Sequence, residues 1–263
     1  PLVIAVGMAV LLCSVVLLTS ENETPETLIS AIKSGAPSKR WQKAFELSNE
    51  LNQDRSKNIR DTAVLKEIFY ILKDAQTYDV KTRSYMAMTL AHFPGPDTIL
   101  ALRGALKETS QEIQIAALWS LGSLAAVDAA PDVKKFLNSD QSDLRKVSVY
   151  VLGVLGEKKE IPAILPLLND PVSDVRWNTA LALARMGDDS GHNVLTEMTR
   201  REELSAAGLE EPQTEAVMIN AIKGLALIRK PESIKIFESL SRADKNMKVR
   251  QAAIDAINLW KKN

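Results

Sequence analysis

SDVRWNTALALARMG, residues 173–187, decides how this chain folds, because the sequence repeats it. SDLRKVSVYVLGVLG (residues 142–156) and SQEIQIAALWSLGSLA (residues 110–125) hold the same phase. Arg145 and Arg176 lie 31 residues apart, and Gln114, which takes the arginine's place one copy earlier, lies 31 residues before Arg145. A fixed period of this length marks stacked supersecondary units. Weaker copies surround Arg40, Arg83, Met218 and Arg250, which makes seven modules in all.

Counting four and seven residues onward from each anchor finds Ala44 and Leu47, Ala87 and Leu90, Leu118 and Leu121, Val149 and Leu152, Ala180 and Leu183, Ile222 and Leu225, and Ile254 and Ile257. That spacing places each pair on one face of an α-helix. Eight residues after the anchor stand Ser48, Ala91, Gly122, Gly153, Ala184, Ala226 and Asn258, nearly all small enough for a neighbouring helix to approach closely. An apolar stretch precedes each such helix, as in PDVKKFL, IPAILPLL and PESIKIFESL, with proline at or near its start, where the first helical turn tolerates it. Each module therefore reads as a helix hairpin that must stack on its neighbours to bury its apolar faces.

These residues resemble the HEAT repeat family, in particular its short bacterial, phycobilisome-lyase-like form, over about 240 residues. The resemblance implies an all-α fold, an α-solenoid of about seven hairpins over residues 21–263; the apolar run before it reads, on its own composition, as a transmembrane helix over residues 1–20. The resemblance also implies that the anchor arginine and the aspartate just before it link successive repeats, a pattern matched by Asp143 with Arg145 and by Asp174 with Arg176. Gln114 and Met218 depart from it, which interrupts a continuous charge ladder. Enzymes occur among similar scaffolds, but this chain lacks their signatures. Deoxyhypusine hydroxylases carry repeated His-Glu pairs, whereas His92 precedes Phe93 and His192 precedes Asn193. Bilin lyases share a repeat that is a packing unit and does not itself bring the activity.

Residues 1–18 carry no charge, and about 20 apolar helical residues cross a bilayer core. A cleaved signal peptide is the competing reading, but its apolar run is about 7–15 residues long and ends in a small-x-small site. Leu12 before Cys13 does not fit a lipoprotein context. Ala5, Ala9 and Cys13 form a stripe of small side chains at helical spacing, a packing face for another membrane helix or simply the usual composition of such helices. The flank holds Glu21, Glu23 and Glu26 before the first cation, Lys33. These features lead to an expected single-pass membrane protein with its repeats on the extracytoplasmic side, the periplasm in a bacterium.

Lysine plus arginine equals aspartate plus glutamate, 33 against 33, which removes the overall basic field of a nucleic-acid binder. Cys13 is the sole cysteine, so this chain can form no internal disulfide and no cysteine-based metal site. No phosphate-binding loop, dinucleotide fingerprint or nucleophile elbow appears, so no cofactor, metal, catalytic residue or small-molecule substrate is expected.

Positions one and five after the anchor carry Trp41, Phe45, Met88, Trp119, Tyr150 and Trp177, an aromatic stripe that is either a groove for a protein segment or packing between repeats. The wide spacing between Arg176 and Met218 marks an insertion, REELSAAGLEEPQTE, read as a binding loop or a solvated linker. Charge also separates: residues 188–220 hold eight acidic and two basic residues, residues 221–263 four and ten. The basic end is open to an acidic partner, to anionic lipid or nucleic acid, or to an ordinary role as a solubilising cap. Together these features predict a non-catalytic adaptor, an accessory subunit of a membrane complex such as a transporter, with other membrane subunits as partners.

Overall fold

A computed structural model of the chain describes residues 24–53 and 62–261. Among the described residues every regular element is helical, with fifteen α-helices, six short 3-10 turns and no strand. The chain divides into two compact units after His92.

The first unit holds two hairpins. Helix α1 (Pro25–Ser34) starts where Thr24 accepts the Thr27 amide at 3.3 Å and proline takes the first turn, and it stops at Gly35. It packs on α2 (Arg40–Gln53). Helix α3 (Thr62–Lys73) packs on α4 (Val80–Thr89), whose cap is Asp79, accepting the Thr82 amide at 2.9 Å. Helices α2 and α4 stack side by side, with Ala44, Leu47, Ala87 and Leu90 fully buried.

Five hairpins make up the second unit. The first helices of its modules are α5 (Pro96–Ala105), α7 (Ala130–Lys134), α9 (Ile161–Ile164), α11 (His192–Glu197) and α14 (Glu232–Ala243). The second helices are α6 (Gln111–Ser123), α8 (Ser142–Leu155), α10 (Ser173–Arg185), α13 (Glu211–Ile228) and α15 (Met247–Lys261), and each stacks on the next. Helices α7 and α9 are shorter than their apolar runs, tightening into 3-10 turns at Lys135–Asn138 and Leu165–Asn169. In the second case Pro166 lacks the amide hydrogen that an α-helix would use there.

The stripe four and seven residues past the anchor is buried in six modules, at 0–1% exposure from Ala44 to Leu225. Each such leucine contributes about 2 kcal/mol relative to an exposed one. In the last module Ile254 is 39% exposed, while Ile257 is partly buried against the core. Gly122 and Gly153, eight past their anchors, meet Val151 and Ala182, each six past the next anchor. A Cβ on Gly153 would stand 2.7 Å from the Ala182 Cβ and 2.8 Å from its Cα, and one on Gly122 would stand 3.2 Å from a Val151 methyl.

Second helices end alike. Eleven residues past the anchor, Ala125, Gly156, Gly187 and Arg229 all have positive φ, between 49° and 79°. Glycine adopts this conformation freely; alanine and arginine do so at a cost of about 1–2 kcal/mol.

The localisation expected from the sequence needs correction. Among the described residues no helix is long and apolar enough to cross a membrane. The longest, α13, has 18 residues and so spans about 27 Å, but it carries Glu211, Glu215 and Lys223. The single-pass assignment and the extracytoplasmic placement therefore fall, and with them the case for membrane-subunit partners. The apolar run at residues 1–18 and its stripe of Ala5, Ala9 and Cys13 lie outside the described residues.

Candidate protein-binding surface

Ion pairs and hydrogen bonds at the joints between modules hold successive second helices in register. Arg145 donates twice to Asp170, Nε to Oδ2 at 2.7 Å and an Nη to Oδ1 at 2.9 Å, and also to the Ser139 carbonyl at 2.8 Å. Asp170 stands six residues before the next anchor, and Arg176 in turn donates to its carbonyl at 2.8 Å. The linking carboxylate is thus Asp170 and not Asp143, which lies on the open side of α8 and pairs with Lys146 at 3.0 Å. Asp174 likewise faces Lys146, at 3.7 Å. Both partners of the Arg145–Asp170 joint are largely buried, their side chains 13% and 6% exposed. The guanidinium holds the Asp170 carboxyl below the usual aspartate range, helped by the Val172 amide.

The interruption expected at Met218 is bridged by other means. Helix α12 (Arg201–Ala206), inside the insertion, sends Arg201 to Asp244 with two bonds of 3.0 and 2.7 Å. Asp244 stands six residues before Arg250, as Asp170 does before Arg176, and Arg250 donates to its carbonyl at 2.6 Å. Arg201 also contacts Glu211 at 2.7 Å. The insertion is therefore a clamp with a defined geometry. It turns at Gly208, φ 87°, and re-enters a helix through Pro212 and the capping box of Glu210 and Gln213.

Charge separation along the sequence closes on itself in space. Lys230 meets Asp189 at 2.8 Å, Lys245 meets Glu211 at 3.0 Å and Lys248 meets Glu215 at 2.8 Å. The first contact raises the Lys230 pKa, and Lys245 and Lys248 are the leading causes that lower those of Glu211 and Glu215. Three of the ten basic residues of this end thus pair with the acidic segment before it, which weakens its reading as a lipid or nucleic-acid surface.

The aromatic stripe divides between the two units. In the first, the Lys81 ammonium sits 3.3 Å from the centroid of Trp41, Phe45 packs on Tyr85 at 5.5 Å, and Phe45 and Met88 are each 43% exposed. In the second, Trp119 is 42% exposed and its ring lies 4.7 Å from that of half-buried Tyr150, with the Arg185 guanidinium 5.2 Å over the Tyr150 ring. Trp177 differs, being partly buried against the cluster that contains Leu195, Met218 and Leu225. Sequence reasoning missed Tyr85, Lys81 and the position nine past the anchor, where Val154, Arg185, Leu227 and Leu259 extend the same face. The signal was present, since one, five and nine are successive turns of one helix face.

Among the described residues no group of three or more His, Cys, Asp or Glu side chains is placed to hold a metal ion. His192 Nε2 lies 3.2 Å from Ser233 Oγ, a spacing that a nucleophile and its base would share. Ser233 is fully buried and the nearby Asp189 is engaged by Lys230, so the pair joins α11 to α14 and offers no substrate access.

Comparison with known proteins agrees with this architecture. The family model for HEAT repeats matches residues 65–153 and 135–207, together more than half of the chain. No curated protein matches it in sequence. Among solved structures, the complex of CpcE and CpcF of phycocyanin lyase from Nostoc sp. PCC7120 is similar with a TM-score of 0.60 and 19% identity, over 91% of this chain and 94% of that one. An engineered protein reaches 0.51 at 19% identity, over 90% and 96%. A designed armadillo repeat protein in complex with the peptide (KR)4 reaches 0.50 at 15% identity, over 90% and 99%. At such identities the likeness is one of fold alone. With the period, the stacked hairpins and the family match in agreement, this chain belongs to the HEAT repeat family.

Proposed function

We propose that this protein is a non-catalytic scaffold that holds a segment of a partner protein across its second helices, with Trp119 and Tyr150 as the central contact. One observation carries the reading: a tryptophan left 42% exposed against a tyrosine on the next module, which is itself covered by an arginine from the module after, those two modules being joined by Arg145 and Asp170. Rigid aromatic and arginine side chains dominate binding energy at protein interfaces, because they bury large area at little entropic cost. Repeat folds present such residues on a continuous face. The neighbours support the reading by analogy, since CpcE and CpcF form a complex and the designed armadillo protein holds a peptide.

A photo-crosslinking amino acid at position 119, compared with one at Leu100, 69% exposed on the first helix α5, tests this in cells. A discrete protein adduct from position 119 and none from position 100 is expected, and Trp119→Ser should abolish co-purification of that protein. Loss of the aromatic pairing should lower stability by about 0.5–1.5 kcal/mol beyond the apolar area that Trp119 buries, so the variant's fold is checked by circular dichroism. Equal adducts from both positions, or intact co-purification with the serine variant, would reject the reading.

A further inference from the structure

The steps between successive second helices are not equally filled. Between α6 and α8 the Trp119 and Tyr150 rings close on each other, and Arg185, from α10, covers Tyr150 at the next step. Between α10 and α13 Leu181 is partly buried against the core, within 3.2 Å of where a Cβ on Gly224 would be. At these three steps, side chains five or nine past an anchor occupy the groove.

Between α13 and α15 the same positions behave differently. Five past the anchors stand Lys223 and Asp255, both exposed, and between them lies an open trough of about 320 Å³. Its floor includes Ala226, Ala252 and Ala256, and its walls end in Leu227 and Leu259, 55% and 49% exposed. Charged side chains extend to solvent because burial would remove their hydration, so neither one fills the groove as tryptophan and tyrosine do.

We infer that this trough receives, from a partner protein, the large apolar side chains that the other steps supply themselves, carried on a short acidic amphipathic helix. The inference rests on the scaffold reading above and names the partner chemistry for the C-terminal part of that face. Size favours side chains as the occupant, for the volume is at the low end of the roughly 300–1,000 Å³ typical of small-molecule sites. An alanine floor between two helices is the geometry that accepts a helix ridge. Charge sets the sign. Asp255 already accepts the Gln251 amide at 2.8 Å, while Lys223 stands on the opposite wall, and Arg229 lies over Trp260 at the same end of the two helices as the leucines. A carboxylate one turn from the inserted side chains therefore meets Lys223.

The test uses the full chain and fluorescein-labelled 15-residue peptides in an alanine-glutamine host, read by fluorescence anisotropy. The first peptide carries Phe and Leu four residues apart, flanked by glutamates. A second exchanges the glutamates for lysines, and a third exchanges Phe and Leu for serines. Saturable binding of the first is expected, about fivefold weaker for the second, and lost for the third. Lys223→Glu should reverse the charge preference. Lys223→Trp with Asp255→Tyr makes this step a copy of the Trp119–Tyr150 step; it should retain helicity and thermal stability while weakening binding at least tenfold.

The inference is overturned by no saturable binding by any peptide, by apolar binding indifferent to charge, or by undiminished binding to the filled double variant. Saturable binding of a small apolar dye in the trough without peptide binding would likewise overturn it, by assigning the cavity to a small molecule. Trp119→Ser should leave peptide affinity unchanged. Loss of the adduct at position 119 with peptide binding intact would remove the Trp119 surface alone, and the reverse would remove the trough alone.

Discussion

Replacing Asp170 by asparagine should be among the most damaging polar substitutions in the second unit, while the same change at Asp143 should do almost nothing. Asp170 accepts two charge-assisted bonds from Arg145 with its side chain 6% exposed, and its Oδ1 also accepts the Val172 amide at 2.9 Å. Net contributions of about 1.5–3 kcal/mol apply to hydrogen bonds with charged groups, rising to about 3–5 kcal/mol when one partner of a fully buried pair is removed. Asparagine keeps an acceptor for Arg145, which also retains the Ser139 carbonyl, so about 2–3 kcal/mol is expected. For a unit of this size that lowers Tm by about 5–10 °C. Asp143 is 56% exposed, and Lys146 retains Asp174 when it is changed, so its cost should fall below about 0.5 kcal/mol.

Urea unfolding followed by circular dichroism measures both, and urea avoids screening the ion pair. A pH series adds an independent check. Because Arg145 lowers the Asp170 pKa in the folded state, wild type's advantage over the asparagine variant is fully present above the unfolded value, about 3.9, and is lost as pH falls through the folded value. The gap should be flat from pH 7 to pH 5 and should narrow below about pH 4. Equal costs for the two variants, or a gap that stays unchanged down to pH 2, would refute the assignment of Asp170 as the joint.

Arg201→Met should destabilise the last two modules by about 3 kcal/mol, since it leaves the Asp244 carboxylate, 4% exposed, without its bidentate partner; local hydrogen exchange in α14 and α15 would register it. Gly153→Ala should cost about 2 kcal/mol or more in denaturant titration because the added methyl meets Ala182 backbone, whereas Gly122→Ala meets only a valine methyl and gains helix propensity, so its net effect should be within about 1 kcal/mol of zero. Ala125→Gly should raise stability by about 0.5–1 kcal/mol by relieving a left-handed alanine, and a loss of stability there would contradict the cost assigned to that conformation.

Much of this architecture was legible from local regularities. Leu118 and Leu121, or Val149 and Leu152, announce a buried face because a helix turns by a fixed angle per residue, whatever surrounds it. Gly153 announces a close approach because a missing side chain has few other uses in the middle of a helix. The period of 31 residues then repeats one solution along the chain.

What escaped the sequence depends on meetings between residues far apart in it. Asp143 is two residues from Arg145 and Asp170 twenty-five, yet only the latter is reached, because the loop before α10 folds back onto α8. Arg201 takes over a joint that Met218 cannot make, across 43 residues to Asp244. Trp119 and Trp177 occupy the same stripe in the sequence, but one is exposed beside Tyr150 and the other lies against the core. The sequence by itself determined the helices, their apolar faces and their repetition, since these follow from covalent geometry and short-range sterics. Only the tertiary structure decided which charges lock the modules, which aromatic remains exposed and which groove no side chain fills, because those outcomes depend on how each hairpin seats against the next.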